Sequence, residues 1–315
     1  MKKSMVCVLL VCVLLAGLSF SQPSEKPVAG TISISGAWAL YPMVLKWAEE
    51  FHKINPKVKI DVQAGGAGKG MADVLAGMAD FGMVSRDIHA EEVKKGAFSI
   101  AVTKDGVVAT ACDKNPFLNE IMKKGVTKVQ FADIWITGKT TTWGQVLGTN
   151  EKTAIHVFTR SDACGAAETW AAYLGKRQED LGGVGVYGDP GLADAVRRDS
   201  LGIGYNNINF VYDAKSLKPV AGIVIVPIDL DGNGKIDEAE KIYATRDDIT
   251  RSIAKNIYPS PPARDLYLVS KGKPATTAAV NFLYWVLTEG QKYVPETGYI
   301  PLSKEKLNEG LEKIK

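Results

Sequence analysis

From residue 31 to residue 87 the chain alternates strand and helix in a way that leaves few folds open. Thr31-Ile32-Ser33-Ile34-Ser35 alternates polar and apolar as a short strand and stops at Gly36. Val44, Leu45, Trp47, Ala48 and Phe51 then recur at helical spacing, which predicts a helix over Pro42–Ile54 packed by one face. Val58-Lys59-Ile60-Asp61-Val62 reads as a second strand, followed by the loop Ala64-Gly65-Gly66-Ala67-Gly68-Lys69-Gly70. A helix from Met71 to Met78 and a third strand from Phe81 to Val84 come next, ending at Ser85-Arg86-Asp87. Strands joined by helical crossovers lie parallel, with the helices covering the sheet faces. Ligands of such sheets bind beyond the carboxyl ends of the strands, where the glycine-rich loop and Ser85 fall. The loop is not a nucleotide site. A phosphate loop needs four residues between its first glycine and Gly-Lys, then Ser or Thr, and here Gly70 follows Lys69.

The same logic recurs further on. Ile100-Ala101-Val102 and Gly106–Ala111 read as two strands, Val129–Trp135 as a helix, and Thr137–Trp143 as a turn-rich loop. The apolar run Ala154–Phe158 is a buried strand that leads into Thr159-Arg160-Ser161-Asp162-Ala163-Cys164-Gly165-Ala166, and a helix over Ala166–Leu174 follows. A strand, an Arg and a small-residue turn opening a helix offer an anion one fixed cation and several free backbone N–H groups. The plainer reading is a strand-to-helix connection with a surface Arg. Pro190–Arg198 is then a helix, Leu201–Tyr205 a strand, Ile249–Ile257 a helix, and Leu266–Val269 a strand expected to return to the first half of the chain. A long helix over Ala275–Thr288 and a charged terminal helix close it.

With 315 residues, 46% hydrophobic and 23% charged, the chain has core enough for two domains. The formal net charge is only +3 and no basic run could track a nucleic-acid backbone, so nucleic acid is not an expected partner. Lys2 and Lys3 precede an apolar run from Met5 to Leu18, too short to span a membrane comfortably, and then Ser19-Phe20-Ser21. A signal peptide over residues 1–21 is expected, with export to the periplasm as a soluble protein; an uncleaved anchor is the alternative. Cys7 and Cys12 would leave with it. Cys112 and Cys164 would then face an oxidising compartment as either a disulfide or two buried thiols.

Asp229-Leu230-Asp231-Gly232-Asn233-Gly234-Lys235-Ile236-Asp237-Glu238-Ala239-Glu240 fits the twelve-residue Ca²⁺ loop. Asp229, Asp231, Asn233 and Asp237 supply side-chain oxygens, Lys235 a main-chain carbonyl, and Glu240 the closing carboxylate. A structural Ca²⁺ is expected, although the flanking run Gly222–Pro227 is a strand, not the first helix of an EF-hand. An ion-free Asx-rich turn is the alternative. His52, His89 and His156 show no zinc spacing and no Gly-x-Ser-x-Gly elbow is present, so an enzyme is not expected. The one enzymatic rival is a thiol nucleophile at Cys164, for which His156 has no evident reason to serve as base.

Taken in order, six segments carry a resemblance that no single one would. They are Ser35–Pro42, Asp80–Arg86, Trp135–Lys139 with Trp143, Arg160–Gly165, Gly202–Tyr205, and Gly290–Leu302. Together they resemble the periplasmic phosphate-binding proteins of ABC importers, a branch of the type II solute-binding fold, over nearly the whole mature chain. That resemblance implies an α/β fold of two lobes, each a mainly parallel sheet flanked by helices, joined by a two-strand hinge. Residues 29–104 with 264–315 would form the first lobe and residues 105–263 the second, with crossings near Ala101–Val108 and Pro262–Leu268. It implies a monomer that captures phosphate or a related oxyanion between the lobes and delivers it to importer membrane subunits. The implied anion-binding set is Ala39, Leu40, Tyr41, Ala67, Gly68, Ser85, Arg160, Cys164, Gly165 and Ala166.

The sequence departs from the family within that set. The usual Ser-Gly-Thr after the Arg is Cys164-Gly165-Ala166, the hydroxyl residue before Tyr41 is Leu40, and the glycine-rich loop has no Ser. An Asp that accepts a phosphate proton in some members aligns with Ser85. A hydrogen bond to a charged group contributes about 1.5–3 kcal/mol, so losing three would cost about 4–9 kcal/mol. Either Ser85, Arg86, Lys69, Ser161 and the N–H groups of Gly66 and Gly165 compensate, or the ligand is another anion, or the fold serves as a sensor or scaffold that has lost it.

Overall fold

One sheet runs through the whole molecule. The structure, a computed structural model, describes residues 28–315, so the expected signal segment lies outside the described residues. The strands are β1 (Gly30–Gly36), β2 (Val58–Ala64), β3 (Phe81–Val84), β4 (Ala97–Cys112), β5 (Val126–Thr127) and β6 (His156–Arg160). They continue with β7 (Val184–Val186), β8 (Gly202–Asn207), β9 (Ile223–Ile225), β10 (Ile228–Asp229) and β11 (Ala263–Lys271). The order across the sheet is β2-β1-β3-β11-β4-β8-β6-β7, with β9 also on β4 and a separate β10-β5 pair. β2, β1 and β3 are parallel at one end, and β8, β6 and β7 are parallel at the other. Between them β11 and β4 are antiparallel to their neighbours. They are the two strands that carry the chain from one lobe to the other.

β4 is a single strand of 16 residues where the sequence suggested two. Polar Thr103, Lys104 and Asp105 looked like a break. Thr103 and Asp105 are instead buried, with the Thr103 hydroxyl donating to the Ile300 carbonyl at 3.0 Å and Asp105 Oδ1 accepting the Gly106 N–H at 2.7 Å. The first part of β4 pairs with β11 and the last with β8 and β9. A register shift between Leu266 and Tyr267 bends the β11–β4 ribbon, as a bulge does.

Two hydrophobic cores flank this ribbon. One gathers Ile32, Trp47, Phe51, Phe81, Val102, Leu266 and Phe282, with the rings of Phe51 and Phe282 edge to face at 5.3 Å. The other gathers Val107, Phe131, Trp135, Trp170, Tyr205 and Ala263, with Trp170 stacked on Tyr205 at 5.7 Å. Core membership changes between Val102 and Val107 on β4 and between Ala263 and Leu266 on β11. The C-terminal helices Thr277–Leu287 and Lys304–Ile314 pack on the first core. Among the described residues no helix is long and apolar enough to cross a membrane.

Candidate functional site

The second-lobe wall of the cleft begins where β6 ends in Arg160 and the helix Gly165–Tyr173 starts. Arg160 is buried and its guanidinium is held from two sides. Nε and Nη2 donate to the two oxygens of Asp162 at 2.8 and 2.7 Å, and Nη1 donates to Asp189 Oδ2 at 2.6 Å. Asp189 opens the helix Gly188–Arg198 and is itself fixed, its Oδ1 accepting the Asn207 main-chain and side-chain N–H groups at 3.2 and 2.8 Å. Burial disfavours the Arg160 charge, but Asp189 and Asp162 outweigh it and hold the group firmly cationic. One cation faces two carboxylates here, so the cluster offers no surplus positive charge. What it offers an anion is fixed dipoles. Gly165 and Ala166 occupy the first turn of their helix, where no helical carbonyl reaches their N–H groups.

Cys164 is the N-cap of that helix. Its Sγ accepts the Ala167 N–H at 3.4 Å and its own N–H goes to Gln178 Oε1 at 3.1 Å. The side chain therefore closes the helix instead of facing a ligand. Burial pushes the thiol up to about 12, so it stays protonated at neutral pH. Cys112 and Cys164 are separate, buried free thiols, and exposed His156 pairs with Asp199 at 2.7 Å while Cys164 bonds Ala167 and Gln178. The thiol-nucleophile reading loses its base.

The first-lobe wall is made almost wholly of backbone. Trp38–Leu40 forms a 3₁₀ turn ahead of the helix Tyr41–Ile54. Leu40, where the family has a hydroxyl, sits in the core, its N–H bonded to the Ala37 carbonyl at 3.1 Å. The Ala39 carbonyl accepts the Tyr299 hydroxyl at 2.6 Å, which leaves its N–H as the group that can turn to the cleft. The glycine-rich loop enters its helix earlier than expected, at Ala67 and not at Met71, and ends at Leu75. Gly66 takes φ +89° at the N-cap, a conformation that favours glycine. The Gly68 N–H is spent across the cleft on the Ala163 carbonyl at 3.1 Å, so Gly68 ties the lobes together and gives no donor to an anion. Ala67, one residue earlier, keeps a first-turn N–H. Lys69, a suggested compensating donor, turns instead to Asp73 and Ser35. Arg86, another, is taken by Glu92 and Glu168.

The two walls meet at Ser85 and Gly165. A Cβ on Gly165 would fall 2.2 Å from Ser85 Oγ and 2.3 Å from the Ser85 carbonyl, closer than any side chain allows. Behind Ser85 runs a buried network that the sequence reading missed. Arg264 on β11 donates Nε to the Ser85 carbonyl at 3.2 Å and Nη2 to Asn207 Oδ1, and so reaches Asp189 and Arg160 through Asn207. Its register partner on β4 is Asp105, 3.7 Å from Nη1. Burial raises the Asp105 carboxyl to about 6, Arg264 offsetting only part of that. The Trp38 ring lies edge to face with Tyr41 of its own lobe and with Tyr187 and Phe210 of the other. Polar residues interrupting apolar strands were the only signals for Asp105 and Arg264, and such interruptions read equally well as strand ends.

At the predicted metal loop, Asp229, Asp231 and Glu240 each offer an oxygen within 4.8 Å of the others. Asp229 and Glu240 are buried, and each of their four oxygens accepts one main-chain N–H, from Gly232, Gly234, Leu230 and Asp237, keeping a lone pair free. Asn233 Nδ2 lies between Asp231 and Asp237, and Lys235 Nζ is 2.9 Å from Asp237. The Ile236 N–H bonds the Lys123 carbonyl at 2.7 Å, stitching the loop to the helix Leu118–Lys124. This oxygen-rich donor set is of the kind that takes a hard divalent cation.

Comparison with known proteins agrees with this fold. The model of the PBP superfamily domain matches residues 21–289. The phosphate-binding protein PstS of Bacillus subtilis is 28% identical over 293 residues, covering 92% of this chain and 86% of that one. PstS of Xylella fastidiosa is 26% identical, covering 89% and 84%. A phosphate ABC transporter substrate-binding protein from Clostridium perfringens, solved with bound phosphate, matches with a TM-score of 0.70 at 26% identity over 87% of this chain and 100% of that one. An ABC-type phosphate transport receptor from Vibrio cholerae shares the fold, with a TM-score of 0.63 at 22% identity over 87% and 100% of the two chains.

Proposed function

Because the chain belongs to the PBP superfamily, we propose that it captures phosphate or a related oxyanion between its lobes and hands it to an ABC importer. The lobes are taken as residues 29–104 with 264–315, and 105–263. The observation that carries this reading is the meeting of Ser85 with Gly165 in front of a guanidinium locked by Asp162 and Asp189. In this reading the anion's donors are the N–H groups of Ala39, Ala67, Gly165 and Ala166, each in the first turn of its helix, and the Ser85 hydroxyl. Leu40, Tyr41 and Cys164 shape the wall and donate nothing to the anion from their side chains, and Gly68 has its N–H spent on Ala163. Arg160 acts as the fixed cation that holds Asp162 and Asp189 in place, and the backbone supplies most of the hydrogen bonds. Export by a signal peptide over residues 1–21 and work as a periplasmic monomer complete the reading.

Isothermal titration of refolded, ligand-free protein with phosphate, sulfate, molybdate and tungstate tests it. Saturable one-site heat with phosphate is expected; silence with all four anions overturns the carrier reading. That silence would favour a sensor or scaffold, a reading supported by the two carboxylates that already neutralise Arg160. We also propose that the loop from Asp229 to Glu240 holds a structural Ca²⁺, which would relieve the repulsion among three clustered carboxylates. The ion's role is to fix the corner of the second lobe, remote from the anion cleft.

A further inference from the structure

Glu168 stands in the first turn of the helix whose N-terminus faces the cleft. A carboxylate there suits the helix dipole but competes with an anionic ligand for the same field. Its partners explain its presence. Both oxygens are held from the other lobe: Oε2 lies 2.9 Å from Arg86 Nε, and Oε1 lies 2.7 Å from His89 Nε2. Arg86 is set in advance for this contact. It is almost wholly buried, forked onto Glu92 with Nη2 and Nη1 at 2.6 and 2.9 Å, and Nη1 also donates to the Asp87 carbonyl at 2.8 Å. Burial disfavours its charge, but Glu92 and Glu168 outweigh that. Arg86 therefore keeps its place on Glu92 whether or not the lobes meet, with Nε aimed at one spot in the opposite lobe.

We infer that Glu168 is an interlobe latch, a positioning residue that sets anion affinity by stabilising only the closed arrangement without touching the anion. The inference rests on the proposed anion capture for its affinity arm and on the lobe contacts alone for its conformational arm. In the open arrangement Glu168 returns to water at little cost, because the side chain is already about one-third exposed. In the closed one it gains a pre-formed guanidinium and an imidazole. A ligand that requires closure inherits that difference in its affinity.

The test compares wild type with Glu168→Gln, His89→Gln and the double variant in the full mature chain. Phosphate affinity of Glu168→Gln is expected to fall about tenfold, through faster release and unchanged capture. The two single effects should be non-additive, and the ligand-free melting temperature should not move. Raising salt from low to molar should weaken phosphate binding in wild type more than in Glu168→Gln, a response that a packing role would not produce. Unchanged affinity in Glu168→Gln overturns the latch. Interlobe distances, measured between spin labels at Lys57→Cys and Lys139→Cys, decide it independently. A shift toward open lobes in Glu168→Gln supports the latch even if wild type binds none of the four anions, an outcome that would sink only the carrier reading. Distance distributions identical to wild type overturn it.

Discussion

The two walls of the cleft are built on opposite principles. The second lobe presents a buried guanidinium, two carboxylates that immobilise it and the open end of a helix. The first lobe presents two short turns and Ser85, with Leu40 turned into the core and the cations Lys69 and Arg86 engaged elsewhere. One wall has the field and the other has the fit. On the proposed anion capture, ligand strength would be set in the second lobe, and the first would act as a lid whose contribution depends on close approach.

Removing the field should have the largest effect. Arg160→Met leaves Asp162 and Asp189 buried without their cation, and breaking a buried pair this way costs about 3–5 kcal/mol. Thermal unfolding should fall sharply in the second lobe and anion binding should vanish. A variant as stable as wild type would show that the two carboxylates are neutralised by something else, and the contrast between the walls would collapse. Next in size is the fit. Gly165→Ala forces a methyl onto the Ser85 main chain, and overpacking of that kind costs about 1–3 kcal/mol, or roughly ten- to hundredfold in affinity. Because the clash exists only when the lobes meet, the ligand-free melting temperature should stay near wild type. Equal binding by titration would mean that ligand is held without full closure.

Much of this architecture was legible in the sequence. The strand-helix alternation from Thr31 to Val84 gave the first lobe, and the run from Ala154 through Arg160 gave the charged wall, because periodicity and glycine placement are local signals. Asp189, Asn207, Arg264 and Asp105 stayed hidden for the opposite reason. Their partners are made by the meeting of distant strands, such as Arg264 with Asp105 across 159 positions of chain from β11 to β4, and no local pattern announces such a pair. The β4 strand was read as two for the same cause: Thr103 and Asp105 interrupt its apolar run, and the partners that bury them, Ile300 and Arg264, lie far along the chain. At Cys164 the sequence raised the right question, a missing hydroxyl, but only the fold shows the side chain committed to the Ala167 N–H.

The loop from Asp229 to Glu240 extends the comparison between lobes to stability. Only the second lobe carries this cluster among the described residues. Excess chelator, or Asp229→Asn, should lower the melting temperature by several degrees, since about 1–2 kcal/mol shifts Tm by roughly 2–4 °C per kcal/mol in a domain of this size. Amide exchange should rise around Val126 and Ile228 and stay unchanged around Ile34 and Phe81. A melting curve insensitive to chelator would leave the turn as an ion-free Asx structure.

The smallest effect is the most pointed. Cys164→Ser restores the hydroxyl that the family carries at this position, so a cleft starved of hydroxyl donors should gain substantially from it. The geometry argues otherwise. The side chain at 164 is the helix N-cap, accepting the Ala167 N–H, and a Ser there would take over the same bond with a better acceptor. The gain would go into helix stability, about 0.5–1 kcal/mol, and anion affinity should stay within about threefold of wild type. The same geometry keeps the native thiol unreactive: pushed up to about 12 by burial, it should resist alkylation at pH 8 in the folded protein and react once unfolded. A tenfold tighter Cys164→Ser protein would reverse the argument. It would mean that the hydroxyl rotates out to the ligand and that the second wall binds through side chains after all. Without that gain, the proposed anion would be held in the second lobe through the backbone N–H groups of Gly165 and Ala166.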